Sequence, residues 1–155
     1  MEQLIKILDT QLIFLNIDVS TKTEVIQRMA EQMCRLGFVK ESYSEAVLKR
    51  EESFPTGLQT TSLGIAIPHT DAEHVNKETV AVAVLKSPVL FNMMGMDDQE
   101  IGVDIIFMIA IKEPHGQLRI LQELTGLIQN AECLQKLKLA ETEDEVISIL
   151  KTAEI

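Results

Sequence analysis

A chain of 155 residues with 46% hydrophobic and 25% charged side chains can bury one core and is not disordered, so one domain over residues 1–155 is expected. Its 24 acidic against 14 basic side chains give a formal net charge of -10, a field that repels nucleic-acid phosphates and anionic lipid surfaces and favours basic proteins. No basic segment followed by a long apolar run and no stretch of bilayer-spanning length is present, so a cytoplasmic location without membrane insertion is expected. The two cysteines, Cys34 and Cys133, fall in helical segments without a CxxC or metal-ligand spacing and read as reduced, partly buried thiols.

In chain order, Thr21-Lys22-Thr23-Glu24 has the form of a capping box, and Val25, Ile26, Met29, Ala30, Met33 and Leu36 follow at helical spacing up to a stop at Gly37. Ser42-Tyr43-Ser44-Glu45 is a second box opening a helix toward Arg50-Glu51-Glu52, closed by Pro55 and Gly57. Leu63 to Ile67 and Thr79 to Leu85 are strand-like, Lys86-Ser87-Pro88 reads as a turn, Val89 to Phe91 as a short strand, and Asn92 to Gln99 as a loop. Val103 to Ile111 is the most apolar run, and its β-branched content predicts a central strand buried on both faces. Pro114 then opens a helix with Leu118, Leu121, Leu124, Leu127 and Ile128 on one stripe. A shorter helix around Leu134 to Leu139 precedes a third box, Thr142-Glu143-Asp144-Glu145, and a last helix. Helices before, between and after strands predict an α/β fold, a sheet with helices on its faces. The seven glycines are scattered, so no phosphate-binding loop and no nucleotide cofactor is implied.

Two of the three histidines, His69 and His115, follow the clearest apolar strands, where α/β folds place their chemistry. Pro68 holds Ile67 extended, so the strand should present the His69 imidazole rigidly, and a neutral imidazole nitrogen is a nucleophile toward phosphorus when a hydrogen bond fixes its tautomer. His115 sits at the predicted helix N-terminus, a setting for an anion or for simple capping. Arg50 can be a solvated charge, or a fork onto phosphate oxygens if the fold brings it to His69. Asp71, Glu73 and His74 follow His69, but a spacing of five between His69 and His74, with no HExxH and no nearby cysteine, argues against a metal site. Asp71 is a candidate to orient His69, and His74 reads as an exposed loop or short-helix residue.

Arg50-Glu51-Glu52, Thr56-Gly57-Leu58, Gly64-Ile65-Ala66-Ile67-Pro68-His69 and Pro114-His115-Gly116-Gln117-Leu118, in that order and spacing, resemble an enzyme IIA domain. The resemblance is to the fructose–mannitol superfamily of the phosphoenolpyruvate-dependent sugar phosphotransferase system, and Phe107 to Pro114 resembles its galactitol-type members. It covers nearly the whole chain and implies a mixed sheet between helices. It further implies that His69 accepts a phosphoryl group from the phosphocarrier HPr and passes it to a cysteine of a IIB component, which serves a membrane IIC. His115 matches the second histidine of the family site and Arg50 its arginine; no cofactor and no obligatory metal is implied. The alternative is a regulatory module derived from that system, which signals through the same phosphohistidine; a metal hydrolase would need bound metal at His69 and His74.

Overall fold

Helices cover both faces of a five-stranded mixed sheet in the computed structural model, which describes residues 1–153. The strands are β1 (Ile13–Ile17), β2 (Gly57–Gln59), β3 (Gly64–Ala66), β4 (Thr79–Met93) and β5 (Met96–Ala110). The helices are α1 (Glu2–Ile7), α2 (Lys22–Arg35), α3 (Tyr43–Ser53), α4 (Pro114–Ile128), α5 (Ala131–Leu139) and α6 (Glu143–Thr152). The order is β1-β4-β2-β3-β5, and β4 also pairs directly with β5, so β5 bonds antiparallel to β4 on one side and parallel to β3 on the other.

The twofold alternation of a strand divides the core into two layers. Val80, Val82, Ile105, Phe107 and Ile109 pack against Leu124, Leu127, Leu134, Leu137, Val146 and Leu150 of α4, α5 and α6. Ala81, Ala83, Ile106 and Met108 turn the other way, against Ile26, Met29 and Met33 of α2 and Tyr43 and Val47 of α3. Burial on both faces explains why Val103 to Ile111 is almost continuously apolar rather than alternating. The first and third capping boxes form: Thr21 Oγ1 accepts from Glu24 N–H at 3.2 Å and Thr142 Oγ1 from Glu145 N–H at 3.1 Å. Gly37 at φ 85° supplies the left-handed stop after α2. The second box does not form, because the Ser42 hydroxyl lies 2.7 Å from His74 Nδ1 instead.

The largest departure from the sequence reading is the β4–β5 hairpin. Lys86-Ser87-Pro88 is not a turn; β4 runs through it with a register shift between Val84 and Val89. A proline has no N–H for the ladder, and a bulge absorbs that loss without ending the strand. Asn92 to Gln99 is not a loop either: Asn92 pairs with Glu100, the chain reverses at Gly95 with φ 76°, and β5 begins at Met96. Cross-strand pairing there overrides a polar composition that disfavours strand. β1, β2 and the short α1 carry too little periodicity to be read from sequence.

Close approach of backbones fixes one position in the Gly64-to-His69 run. An ideal Cβ on Gly64 would lie 1.9 Å from the Gly102 carbonyl oxygen, because β3 is pressed against β5. Gly64→Ala is therefore expected to lower the unfolding free energy by more than about 3 kcal/mol in urea titrations, as backbone must move to admit the methyl; a loss below about 1 kcal/mol would contradict this packing.

Candidate functional site

Beyond β3 the backbone is held from several directions. Ile67 N–H donates to Thr56 Oγ1 at 3.2 Å, and the Pro68 carbonyl accepts from Ile109 N–H at 3.0 Å. The Ile109 carbonyl in turn accepts from the Tyr43 hydroxyl at 2.6 Å, and burial pushes the Tyr43 phenol pKa up, so it stays a donor. Behind Thr56 lies the buried carboxylate of Glu51, which takes the Thr56 N–H on Oε2 and the Thr56 hydroxyl on Oε1, both at 2.7 Å.

His69 emerges half-buried from this frame, with Nδ1 2.9 Å from the Ile67 carbonyl oxygen. A carbonyl can only accept, so Nδ1 carries the hydrogen and the lone pair of the neutral ring is on Nε2. The ring borders a cavity of about 100 Å³ with Arg50, Asp71, Ile109, Gln117 and Leu121 among its walls. Pockets for drug-sized ligands run to roughly 300–1,000 Å³. This one suits a compact group carried on the ring, and not a sugar or nucleotide.

Arg50, in the last turns of α3, thus reaches the cavity of His69. Its Nη1 lies 3.6 Å from Asp71 Oδ1, and its guanidinium carbon sits 5.4 Å from the centre of the Phe54 ring. Asp71 borders the cavity as well, but it pairs with Arg50, and the imidazole is oriented by the Ile67 carbonyl. His115 is exposed on the first turn of α4, and that helix contributes Gln117 and Leu121 to the cavity wall instead. The entrance of α4 is already served by a carboxylate: Glu78 Oε2 accepts from Lys112 N–H at 2.9 Å and Glu113 N–H at 3.3 Å. His74 lies in a 3-10 turn, Ala72–His74, with Nε2 3.6 Å from Glu73 Oε1 and Nδ1 turned to Ser42. Among the described residues no three His, Cys, Asp or Glu side chains converge as metal ligands. A larger groove of about 600 Å³ near Gln129, Cys133, Lys136 and Thr152 has neither histidine nor arginine in its lining, so its size does not make it the reactive site.

A family model described as "Phosphoenolpyruvate-dependent sugar phosphotransferase system, EIIA 2" matches residues 6–153. The chain belongs to this family. It is 28% identical over 116 residues to the galactitol-specific EIIA component of Escherichia coli strain K12, covering 75% of this chain and 77% of that protein. It is 32% identical over 149 residues to the fructose-specific EIIABC component of Bacillus subtilis strain 168, covering 94% of this chain but 22% of that longer protein. The fold matches the mannitol enzyme IIA of Escherichia coli in its complex with phosphorylated enzyme IIB, with TM-score 0.75 and 26% identity over 94% of this chain and 97% of that one. The mixed sheet between helices is thus the fold of phosphotransferase-system IIA domains, as the resemblance implied. Among the described residues no helix is long and apolar enough to cross a membrane.

Within this IIA domain, Glu51 and Thr56 belong to the His69 surroundings, where the sequence reading quoted them within two motifs but gave neither a role. One signal was present: Tyr43, Val47 and Glu51 follow one another at four-residue steps, and all three are the buried residues of α3. A carboxylate continuing an apolar stripe needs hydrogen bonds to be tolerated. Burial pushes the Glu51 carboxyl up from the ordinary glutamate value, while the two Thr56 hydrogen bonds, then Lys22 and His69, pull it down without cancelling the rise. An acid that holds its proton more tightly in the folded state contributes stability below its unfolded pKa, and loses that contribution as pH rises through its folded value. Relative to Glu51→Gln, the wild type is therefore expected to lose unfolding free energy as pH rises above about 4.3. Urea unfolding across that range checks it, and parallel curves for the two proteins would contradict the raised value.

Proposed function

We propose that this IIA domain is a phosphoryl carrier in which His69 Nε2 takes the phosphoryl group from phosphorylated HPr and delivers it to a cysteine of a IIB component. That component serves a membrane IIC, and the whole relay runs at the cytoplasmic side. The single observation that carries the reading is the Nδ1–H to Ile67 carbonyl hydrogen bond of 2.9 Å, which leaves Nε2 as the nucleophile beside Arg50. In the first step the N–P bond of the donor breaks as the Nε2–P bond forms, and Nδ1 keeps its proton. The phosphorylated ring is then cationic and a good leaving group. In the second step the Nε2–P bond breaks as a thiolate sulfur bonds phosphorus, and the neutral imidazole returns.

Such transfers need positioning and charge stabilisation. Arg50 supplies a fork for two phosphoryl oxygens. Its resting partner Asp71 is exposed and the pair is only partly screened from water, an interaction worth less than about 1 kcal/mol, so an incoming phosphoryl group displaces it readily. Asp71 thereby parks Arg50 between turnovers. His115, exposed on the first turn of α4, is assigned the role of second imidazole by the family resemblance. The net charge of -10 favours encounter with a basic donor surface. Galactitol or a related polyol is the proposed cargo, supported by the 28% identity to the galactitol-specific component.

Incubation with phosphoenolpyruvate, enzyme I and HPr is expected to add one acid-labile phosphoryl group to the wild type and none to His69→Ala. Arg50→Gln should be labelled about a hundred-fold more slowly, the usual cost of removing one charge-stabilising donor. Full labelling of His69→Ala would contradict the assignment.

A further inference from the structure

Glu51 is not among the residues lining the small cavity, yet three hydrogen bonds, two on the amide side of Ile67 and one on its carbonyl side, lie between it and the His69 ring. Their directions are fixed by chemistry. The Ile67 N–H can only donate, so Thr56 Oγ1 must accept there at 3.2 Å. The hydroxyl hydrogen of Thr56 is then free to go only toward Glu51 Oε1, 2.7 Å away, while Thr56 N–H occupies Oε2 at the same distance. At the other end of residue 67, the carbonyl must accept, and what it accepts is the Nδ1–H of His69 at 2.9 Å. Donation therefore runs from imidazole to carbonyl on one side of the Ile67 Cα, and from amide to hydroxyl to carboxylate on the other.

Its position is also specific. The β2–β3 ladder ends with Gly57 opposite Ala66, so the sheet holds residue 66 and leaves the Ile67 N–H without a ladder partner. Thr56 takes over at that residue, whose carbonyl binds the ring. Glu51 is 3% exposed and Thr56 4%, a costly place for a carboxylate whose only task is to end a helix.

We propose that Glu51, acting through Thr56 and the backbone of Ile67, is a positioning residue that holds His69 in the tautomer and plane presenting Nε2 to the phosphoryl donor. The inference rests on the carrier reading for its purpose, but its structural half stands apart from it. The Ile67 N–H lies in the Ala66–Ile67 peptide and the Ile67 carbonyl in the Ile67–Pro68 peptide, so the link across the Cα is positional: holding the N–H on a carboxylate-bound hydroxyl fixes residue 67, and with it the direction of the carbonyl that binds the ring. Loosening the chain lets the ring exchange its Nδ1–H for the Nε2–H form, in which the lone pair faces the Ile67 carbonyl and Nε2 cannot attack.

The test uses the intact chain with Thr56→Val, Glu51→Gln and the conservative Thr56→Ser. Valine removes the hydroxyl, and glutamine, with one acceptor oxygen, can accept from the Thr56 N–H or the Thr56 hydroxyl but sets an NH2 against the other. Nitrogen NMR of the His69 ring reads the tautomer with no donor protein present, and phosphorylation by HPr reads rate against donor concentration. The wild type is expected to hold the Nδ1–H form. Thr56→Val and Glu51→Gln are expected to raise the Nε2–H fraction and lower kcat about ten- to a hundred-fold with little change in KM, as for lost outer-shell support elsewhere. Thr56→Ser should restore both. Folded variants with a wild-type ring spectrum and wild-type kcat would overturn the proposal; if Glu51→Gln fails to fold, Thr56→Val alone decides. A wild type that accepts no phosphoryl group would sink the carrier reading while the ring spectra still decide the tautomer.

Discussion

The hydrogen bond from His69 Nδ1 to the Ile67 carbonyl is the constraint on which the rest of the site depends. An imidazole offers two nitrogens of similar basicity, and only an outside partner decides which one keeps its lone pair. Here the partner is a backbone oxygen two residues back, so the choice is only as firm as the backbone from Ile67 to His69. That backbone is firm because β3 lies against β5, Pro68 is tied to Ile109, and Ile109 is tied to the buried Tyr43 of α3. The same helix supplies Tyr43 at its start and Glu51 and Arg50 near its end, so one packed element holds both the backbone behind the imidazole and the guanidinium.

Packing explains how a short strand can bear this role. β3 has three residues and would not stand alone, but both sheet faces are covered and its neighbour β5 is buried along its second half. Close contact of β3 with β5 at Gly64 and Gly102 leaves no room for a side chain at residue 64. Charge is handled differently. Arg50 rests on an exposed carboxylate and an aromatic ring, contacts weak enough to be exchanged, whereas the groups that orient the ring are buried and not exchangeable.

Much of this was legible in the sequence. The run from Val103 to Ile111 read as a central strand because burial on both faces leaves a continuous apolar stretch, and α2, α4 and α6 were announced by their caps and stripes. His69 and Arg50 came from a specific motif together with the chemistry of imidazole and guanidinium. The β4–β5 hairpin was not legible, since a bulge at Pro88 and pairing across Asn92 to Glu100 depend on the partner strand rather than on local preference. Neither was the place of His115 outside the cavity wall, nor the capture of Ser42 by His74, because both follow from how distant segments meet. Glu51 left a trace as a charged residue on the buried stripe of α3, but its hydrogen-bond partners lie across a turn that sequence alone does not close.

The most direct measurement is the identity of the phosphorylated nitrogen. Phosphorus and nitrogen NMR of the wild type, labelled through enzyme I and HPr, are expected to show the phosphoryl group on His69 Nε2 with a hydrogen still on Nδ1. A phosphoryl group on Nδ1 would contradict the central claim, because that nitrogen would then have had to give up the Ile67 carbonyl.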